Sequence, residues 1–200
     1  SPHSSVYHWL EKRKKELNSI LKKFTTIQRK SCPFCSSTHN KLWETTPKKT
    51  ITALECTNCG LIYMDKILSN KSLSTFYKGY NAIRNTANLE LTKKRYLMYT
   101  IDHDYLKNFL PQSGIFLDVG CGNGDFLSLF NEGIIKIGMD IDLDAIQKGS
   151  LNHPNIKFIK KLTDLEKNIQ LDCIIFRGSF QYIRDIKKMI NFCFKKLKKN

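Results

Sequence analysis

The chain has 200 residues, a formal net charge of +15 at pH 7 and 41% hydrophobic residues. That length suits one ordinary domain plus a small module. No apolar run approaches the roughly 20 residues of a membrane-spanning helix and no signal-peptide pattern opens the chain, so the expectation is a cytoplasmic protein without a membrane span.

The positive charge invites a nucleic-acid partner through counterion release. Arginine, however, is confined to Arg13, Arg29, Arg84, Arg95, Arg177 and Arg184, while Lys, Ile and Asn are abundant. That pattern reads as coding bias acting on solvated faces, and it makes nucleic acid the less favoured partner.

In chain order, Ser1 to Ser5 reads as an unstructured or appended start. From Val6 to about Lys30, Leu10, Leu17, Ile20, Leu21, Phe24 and Ile27 recur at helical spacing among Lys and Glu. This predicts that the N-terminal segment, residues 1–30, is an amphipathic helix from Val6 to about Lys30, packed on the body of the protein; a dimerisation or membrane-surface helix is the sharper alternative.

Cys32-Pro33-Phe34-Cys35 and Cys56-Thr57-Asn58-Cys59-Gly60 follow. Two such pairs at this separation are a zinc signature, each forming a knuckle that presents two thiolates. The expectation is a ribbon over residues 31–66 with structural Zn2+ held by Cys32, Cys35, Cys56 and Cys59, and with strands at Thr50 to Leu54 and Leu61 to Met64. The competing reading is two disulfides or unliganded thiols; disulfides fit poorly with a reducing compartment. Cys121, Cys173 and Cys193 read as plain buried thiols. Residues 67–111 form a helical linker, with two or three helices between Ser72 and Leu110.

The next stretch, Ile115 to Leu127, is written I-F-L-D-V-G-C-G-N-G-D-F-L. It reads as strand, glycine loop and helix. Glycines at alternate positions let the backbone turn with positive φ and leave no Cβ between loop and ligand, and the helix start aims free N–H groups at the same place. A dinucleotide fingerprint has Gly or Ala at its sixth position; Asp125 stands there, which disfavours NAD.

Asp118, Gly120, Gly122 and Gly124 resemble the first motif of the class I S-adenosylmethionine (SAM)-dependent methyltransferases, an acidic residue, one spacer and Gly-x-Gly-x-Gly. The order of ribbon, aromatic link, helices and glycine loop resembles a bacterial group of zinc-ribbon methyltransferases, many of them modifying sugars or surface polysaccharides. The resemblance implies a Rossmann-like α/β sheet over residues 112–200, with SAM against Asp118, Gly120, Cys121, Gly122 and Gly124. It also makes Tyr77, Tyr80 and Arg84 lid candidates, against the plainer reading of core aromatics.

Ile134 to Met139 is an apolar strand ending in Asp140 and Ile141. A carboxylate here can accept from both ribose hydroxyls, and Asp140 matches the family's ribose-binding acid; Asp142 caps the helix Leu143 to Gly149. After a third strand, Ile156 to Ile159, the family's adenine-contacting Asp is replaced by Lys160-Lys161, which leaves Asp164 or backbone groups around Leu162.

A fourth strand, Leu171 to Arg177, runs into Gly178, Ser179, Phe180, Gln181 and Tyr182. The resemblance places Arg177 and Gly178 against the methionine half of the cofactor and makes Tyr182, Gln181 and Arg177 the candidate catalytic residues, although the family often has Glu-His where this chain has Gln181-Tyr182. A helix follows from Asp185 to Lys199. A complete sheet needs three more strands, so the expectation is a C-terminally shortened piece or an edge covered by another chain.

The function expected is methyl transfer to a small molecule or nucleotide-linked sugar. RNA methylation and a non-catalytic zinc-ribbon binding module are the alternatives. Nothing in the sequence fixes the oligomeric state.

Overall fold

The computed structural model describes residues 24–45, 52–73, 75–76 and 89–199, which fall into two units, Ser1–Tyr77 and Lys78–Asn200. Most of the expected N-terminal helix and the lid candidates Tyr77, Tyr80 and Arg84 lie outside the described residues.

In the first unit, β2 (Asn40–Thr45), β3 (Thr52–Cys56) and β4 (Ile62–Met64) form an antiparallel sheet in that order. The tail of the expected helix is corrected by the structure: Thr26–Gln28 is a strand, β1, paired antiparallel with β5 (Lys66–Leu68). Thr25, Thr26 and Ile27 are β-branched and stiff at χ1. Here a distant strand edge meets them, and pairing overrides the helical periodicity.

The two knuckles share one backbone design. Cys32 N–H donates to Ser37 O (2.8 Å) and Ser36 N–H to Cys32 O (3.0 Å); Cys56 N–H donates to Leu61 O (2.9 Å) and Gly60 N–H to Cys56 O (2.8 Å). The residue after the second cysteine is left-handed in both, with φ of 64° at Ser36 and 73° at Gly60. Glycine accepts that conformation freely and serine does not.

The second unit begins with α1 (Leu89–Leu106) and continues through β6 (Gly114–Val119), β7 (Ile134–Met139), α2 (Leu143–Asn152), β8 (Ile156–Ile159), β9 (Cys173–Ile175) and α3 (Ile186–Lys196). The four strands are parallel in the order β8-β7-β6-β9. β6 is central, and its side chains alternate between two cores. Phe116 packs with Phe126, Leu127, Phe130, Ile134, Ile156 and Ile175, against which Tyr99, Leu106 and Leu110 of the α1 segment lie. Leu117 and Val119 pack on the other face with Ile137, Ile159, Leu165, Leu171 and Met189. Full burial of such side chains stabilises by roughly 1.5–3 kcal/mol each.

Asp142 caps α2 by accepting from Asp144 N–H, and Asp185 caps α3 by accepting from Lys188 N–H. The helix expected after the glycine loop is reduced to one 3-10 turn, Leu127–Leu129. Its cause is local: Ser128 Oγ donates to Asp125 O (2.9 Å), the carbonyl that an α-helix would give to Leu129 N–H, and Leu129 N–H turns to Phe126 O (3.2 Å) instead.

The fourth strand is shorter than expected. Beyond β9, Leu171 makes a single parallel bridge to Leu197, on the side away from β6. Among the described residues no helix is long and apolar enough to cross a membrane.

Ser36→Gly relieves the one left-handed non-glycine residue among those described. The expected gain is about 0.5–1 kcal/mol, read as a higher denaturant midpoint for the first unit; a loss of stability would contradict the strain.

Candidate functional site

Each unit carries one chemical cluster. In the first, the Sγ atoms of Cys32, Cys35, Cys56 and Cys59 all lie within 4.8 Å of one another. The short contacts cross between knuckles, Cys32 to Cys59 at 3.6 Å and Cys35 to Cys56 at 3.5 Å. A tetrahedral ion with ~2.3 Å sulfur bonds needs edges of about 3.8 Å, so the donor set has the size of a metal site.

Its electrostatics lead the same way. A backbone hydrogen bond from Ser37 and the Asn58 side chain pull the Cys35 thiol down to about 6. Against a backbone hydrogen bond from Leu61, desolvation and the neighbouring sulfurs hold Cys59 up at about 12. Four thiolates this close repel one another, and a cation among them removes that penalty.

In the second unit the β6–β7 ladder runs on past the strand ends. Gly120 and Cys121 N–H both donate to Met139 O (2.7 and 3.1 Å). Gly122 N–H then donates to Asp140 Oδ2 (2.7 Å), while Asp140 Oδ1 accepts from Asp142 N–H (2.9 Å).

The three glycines answer different needs. A Cβ at Gly120 would stand 2.6 Å from the Ser179 Cβ and one at Gly124 would stand 2.8 Å from the Phe158 ring, whereas one at Gly122 would meet nothing within 4 Å. Gly120 and Gly124 therefore allow close packing, and Gly122 has open space where a side chain would stand. Gly178 is open in the same way. Ser179 Oγ donates to Val119 O, tying the loop after β9 to the end of β6.

Asp118 lies at the centre. It is 2% exposed, and its Oδ1 has no hydrogen-bond partner among the described residues. Desolvation, then the charge of Asp140, lifts its carboxyl to about 7 against the pull of Arg177. A buried oxygen left unpaired is costly, and a hydrogen-bond donor reaching it would satisfy it.

Arg177 turns to α1. Its Nη2 and Nε meet Asp102 Oδ2 at 2.6 and 2.8 Å, and its guanidinium lies over Tyr99 (4.2 Å) and Phe126 (5.3 Å). Gln181 Nε2 donates to Gly178 O (2.9 Å), Tyr182 is 63% exposed, and Ile141 is half-exposed beside Asp140. Cys121 is buried with its sulfur close against Gly138, and burial pushes its thiol up. Asp164 folds back to accept from Lys160 and Lys161 N–H (3.3 and 3.2 Å).

Three contributors escape sequence reading: Asp102, Ser179 and a chain in which Asn123 Nδ2 donates to Asp125 Oδ2 (2.9 Å) and His153 Nε2 meets Asp125 Oδ1 (3.0 Å). Asp125, in place of the small residue of a dinucleotide loop, was the only local signal; its partner lies far along the chain.

A family model described as a methyltransferase domain matches residues 93–200. Among solved structures, the plantazolicin methyltransferase BpumL, in complex with a monoazolic desmethylPZN analog and SAH, is 19% identical with a TM-score of 0.43, over 53% of this chain and 43% of that one. YcgJ from Bacillus subtilis is 19% identical with a TM-score of 0.41, over 52% of this chain and 45% of that one. A SAM-dependent methyltransferase from Thiobacillus denitrificans, in complex with S-adenosyl-L-homocysteine, is 17% identical with a TM-score of 0.41, over 50% of this chain and 43% of that one.

The chain thus spans less than half the length of these structures. No curated protein matches it. The family match takes in more than half of the sequence and every strand of the parallel sheet, and on that ground the chain belongs to the methyltransferase-domain family.

Proposed function

We propose that the protein is a SAM-dependent methyltransferase acting on a small molecule or a nucleotide-linked sugar, with structural Zn2+ in its ribbon. The observation that carries the proposal is the unpaired, buried Asp118 oxygen on the strand that leads into the glycine loop, where Gly122 stands in open space. An anionic wall next to glycine backbone fits a ligand that bears an ammonium group, and the Asp140 carboxylate at the end of β7 fits the hydroxyls of a ribose.

In this reading Asp118 faces the cofactor's amino group, Asp140 its ribose, and Gly120, Cys121, Gly122 and Gly124 shape the floor, with Ile141 and Gly178 at the rim. When bound, SAM supplies a methyl group on a positively charged sulfur. Catalysis by the chain is then largely positioning and exclusion of water. Arg177, clamped between Asp102 and Tyr99, holds α1 against the β9 end of the sheet. Gln181 and Tyr182 follow Gly178, where an acceptor would approach.

The sugar-type acceptor is supported by the Arg177-Gly178 pair, familiar among sugar-modifying members of the group that this chain resembles. Zinc is supported by an all-sulfur donor set of tetrahedral size. The described cysteines are free thiols, which suits a reducing, cytoplasmic setting.

Calorimetry with S-adenosylhomocysteine is expected to show binding, weakened about tenfold or more in Asp140→Ala through loss of charge-assisted hydrogen bonds. Absence of binding to the unaltered chain would overturn the assignment, and unchanged affinity in the variant would remove Asp140 from the site.

The Asp118 carboxyl gives a pH signature. Folding raises it from 3.8 to about 7, so between those values the folded state keeps a proton that the unfolded chain has released. Its ionisation therefore costs stability progressively as pH rises, with the full cost present above about 7. Asp118→Asn should stabilise the ligand-free protein by up to a few kcal/mol at pH 8 and by much less at pH 4.5; an equal effect at both pH values would contradict the raised carboxyl.

Metal analysis should find one zinc per chain, and its removal by a chelator should unfold the ribbon. A folded ribbon free of metal would refute the zinc assignment.

A further inference from the structure

We propose that His153 is a positioning residue for the glycine loop, acting through Asp125 on Asn123, so that the loop is already set in its binding conformation before a ligand arrives. As a contribution to cofactor affinity this rests on the SAM-binding reading above; as a statement about the loop it stands by itself.

The loop is intrinsically loose. Glycine occupies positions 120, 122 and 124, all with positive φ, and such backbone loses the most conformational freedom when it is fixed. Two supports hold its tip. One is Asp140, whose Oδ2 accepts from Gly122 N–H (2.7 Å). That carboxylate is also the group assigned to the ribose, so its geometry is shared with the ligand. The other support involves neither Asp140 nor any residue assigned to the ligand: Asp125 spends one oxygen on Asn123 Nδ2 (2.9 Å) and the other on His153 Nε2 (3.0 Å).

His153 is a firm anchor because its own backbone is closed on both sides. Its N–H donates to Gly149 O (2.8 Å) at the end of α2, and its carbonyl accepts from Ile156 N–H (3.0 Å) at the start of β8. The same helix touches the loop a second time. A Cβ at Gly149 would stand 2.6 Å from Asn123 O, so the Asn123 backbone is seated on α2 while its side chain is tied to α2's cap residue. Together these contacts make α2 and β8 the base on which the loop's conformation is set.

The side chains of His153 and Asp125 are 21% and 39% exposed. A partly solvated pair of this kind contributes little to global stability. Its effect falls instead on the local order of residues 121–125, and through preorganisation on affinity.

The test uses the full chain with two measurements. In the ligand-free protein, amide hydrogen exchange at residues 122–124 should quicken about tenfold in His153→Ala with little change in Tm. His153→Gln, whose side-chain amide can donate to Asp125 in place of Nε2, should return it to near the original rate. With S-adenosylhomocysteine as probe, His153→Ala and Asp125→Ala should each weaken binding about tenfold, and the double variant should be no weaker than Asp125→Ala alone.

Unchanged exchange in His153→Ala, failure of Gln to rescue, or additive losses in the double variant would overturn the proposal. If the unaltered chain binds no S-adenosylhomocysteine, the cofactor reading falls with the affinity part of this inference, and the exchange experiment alone decides whether His153 positions the loop.

Discussion

The site depends on one constraint: the chain leaving β6 stays hydrogen-bonded to β7 beyond their last paired residues, Val119 and Met139. Met139 O receives two N–H groups from the start of the glycine loop, and the next residue along β7 receives Gly122 through its carboxylate. A loop that would otherwise sample many conformations is thereby held to the end of β7, the strand paired with β6. Hydrophobic burial of Phe116 and Leu117 fixes β6, and the ladder transmits that rigidity to a stretch with almost no side chains of its own.

Holding the loop this way leaves an electrostatic debt inside the fold. Asp118 is buried near the end of β6, where backbone bonds are used up by neighbouring strands, and one of its oxygens has no partner among the described residues. The four thiols of the first unit pose the same problem in another form, since groups that share charge poorly are brought together by two knuckles of identical backbone design. In both units the fold gathers acidic groups that a cation would relieve, which is the ground for the metal and the cofactor proposed above.

The link between α1 and the parallel sheet is of a different kind. Arg177 leaves the end of β9 and is caught between a carboxylate and an aromatic ring of α1. Stacking and a two-nitrogen grip on one oxygen suit a planar guanidinium better than a lysine. The same side chain weighs on Asp118, lowering its carboxyl against the effect of burial, so the residue that seats the helix also tunes the charge of Asp118.

Much of this was legible from the amino-acid order alone, because the relevant signals are local. Alternating glycines after an apolar run, an acid at the end of the next such run and cysteines in paired triplet spacing each report a backbone shape or a donor set within a few residues. The bounds of β7 and β8 followed from apolar runs, and the cap of α2 from Asp142 placed ahead of a helical pattern. What the order of residues could not supply was any feature requiring a partner from elsewhere. Ile27 carried a helical period until β5 offered it a strand edge; Arg177 had no direction until Asp102 and Tyr99 were brought beside it; and Asp125 was an oddity in the loop until His153 arrived on the end of another helix. Periodicity and spacing record what a segment can do by itself, whereas hydrogen bonds and ion pairs between distant residues exist only after the chain has closed, and those contacts decided how the site is held.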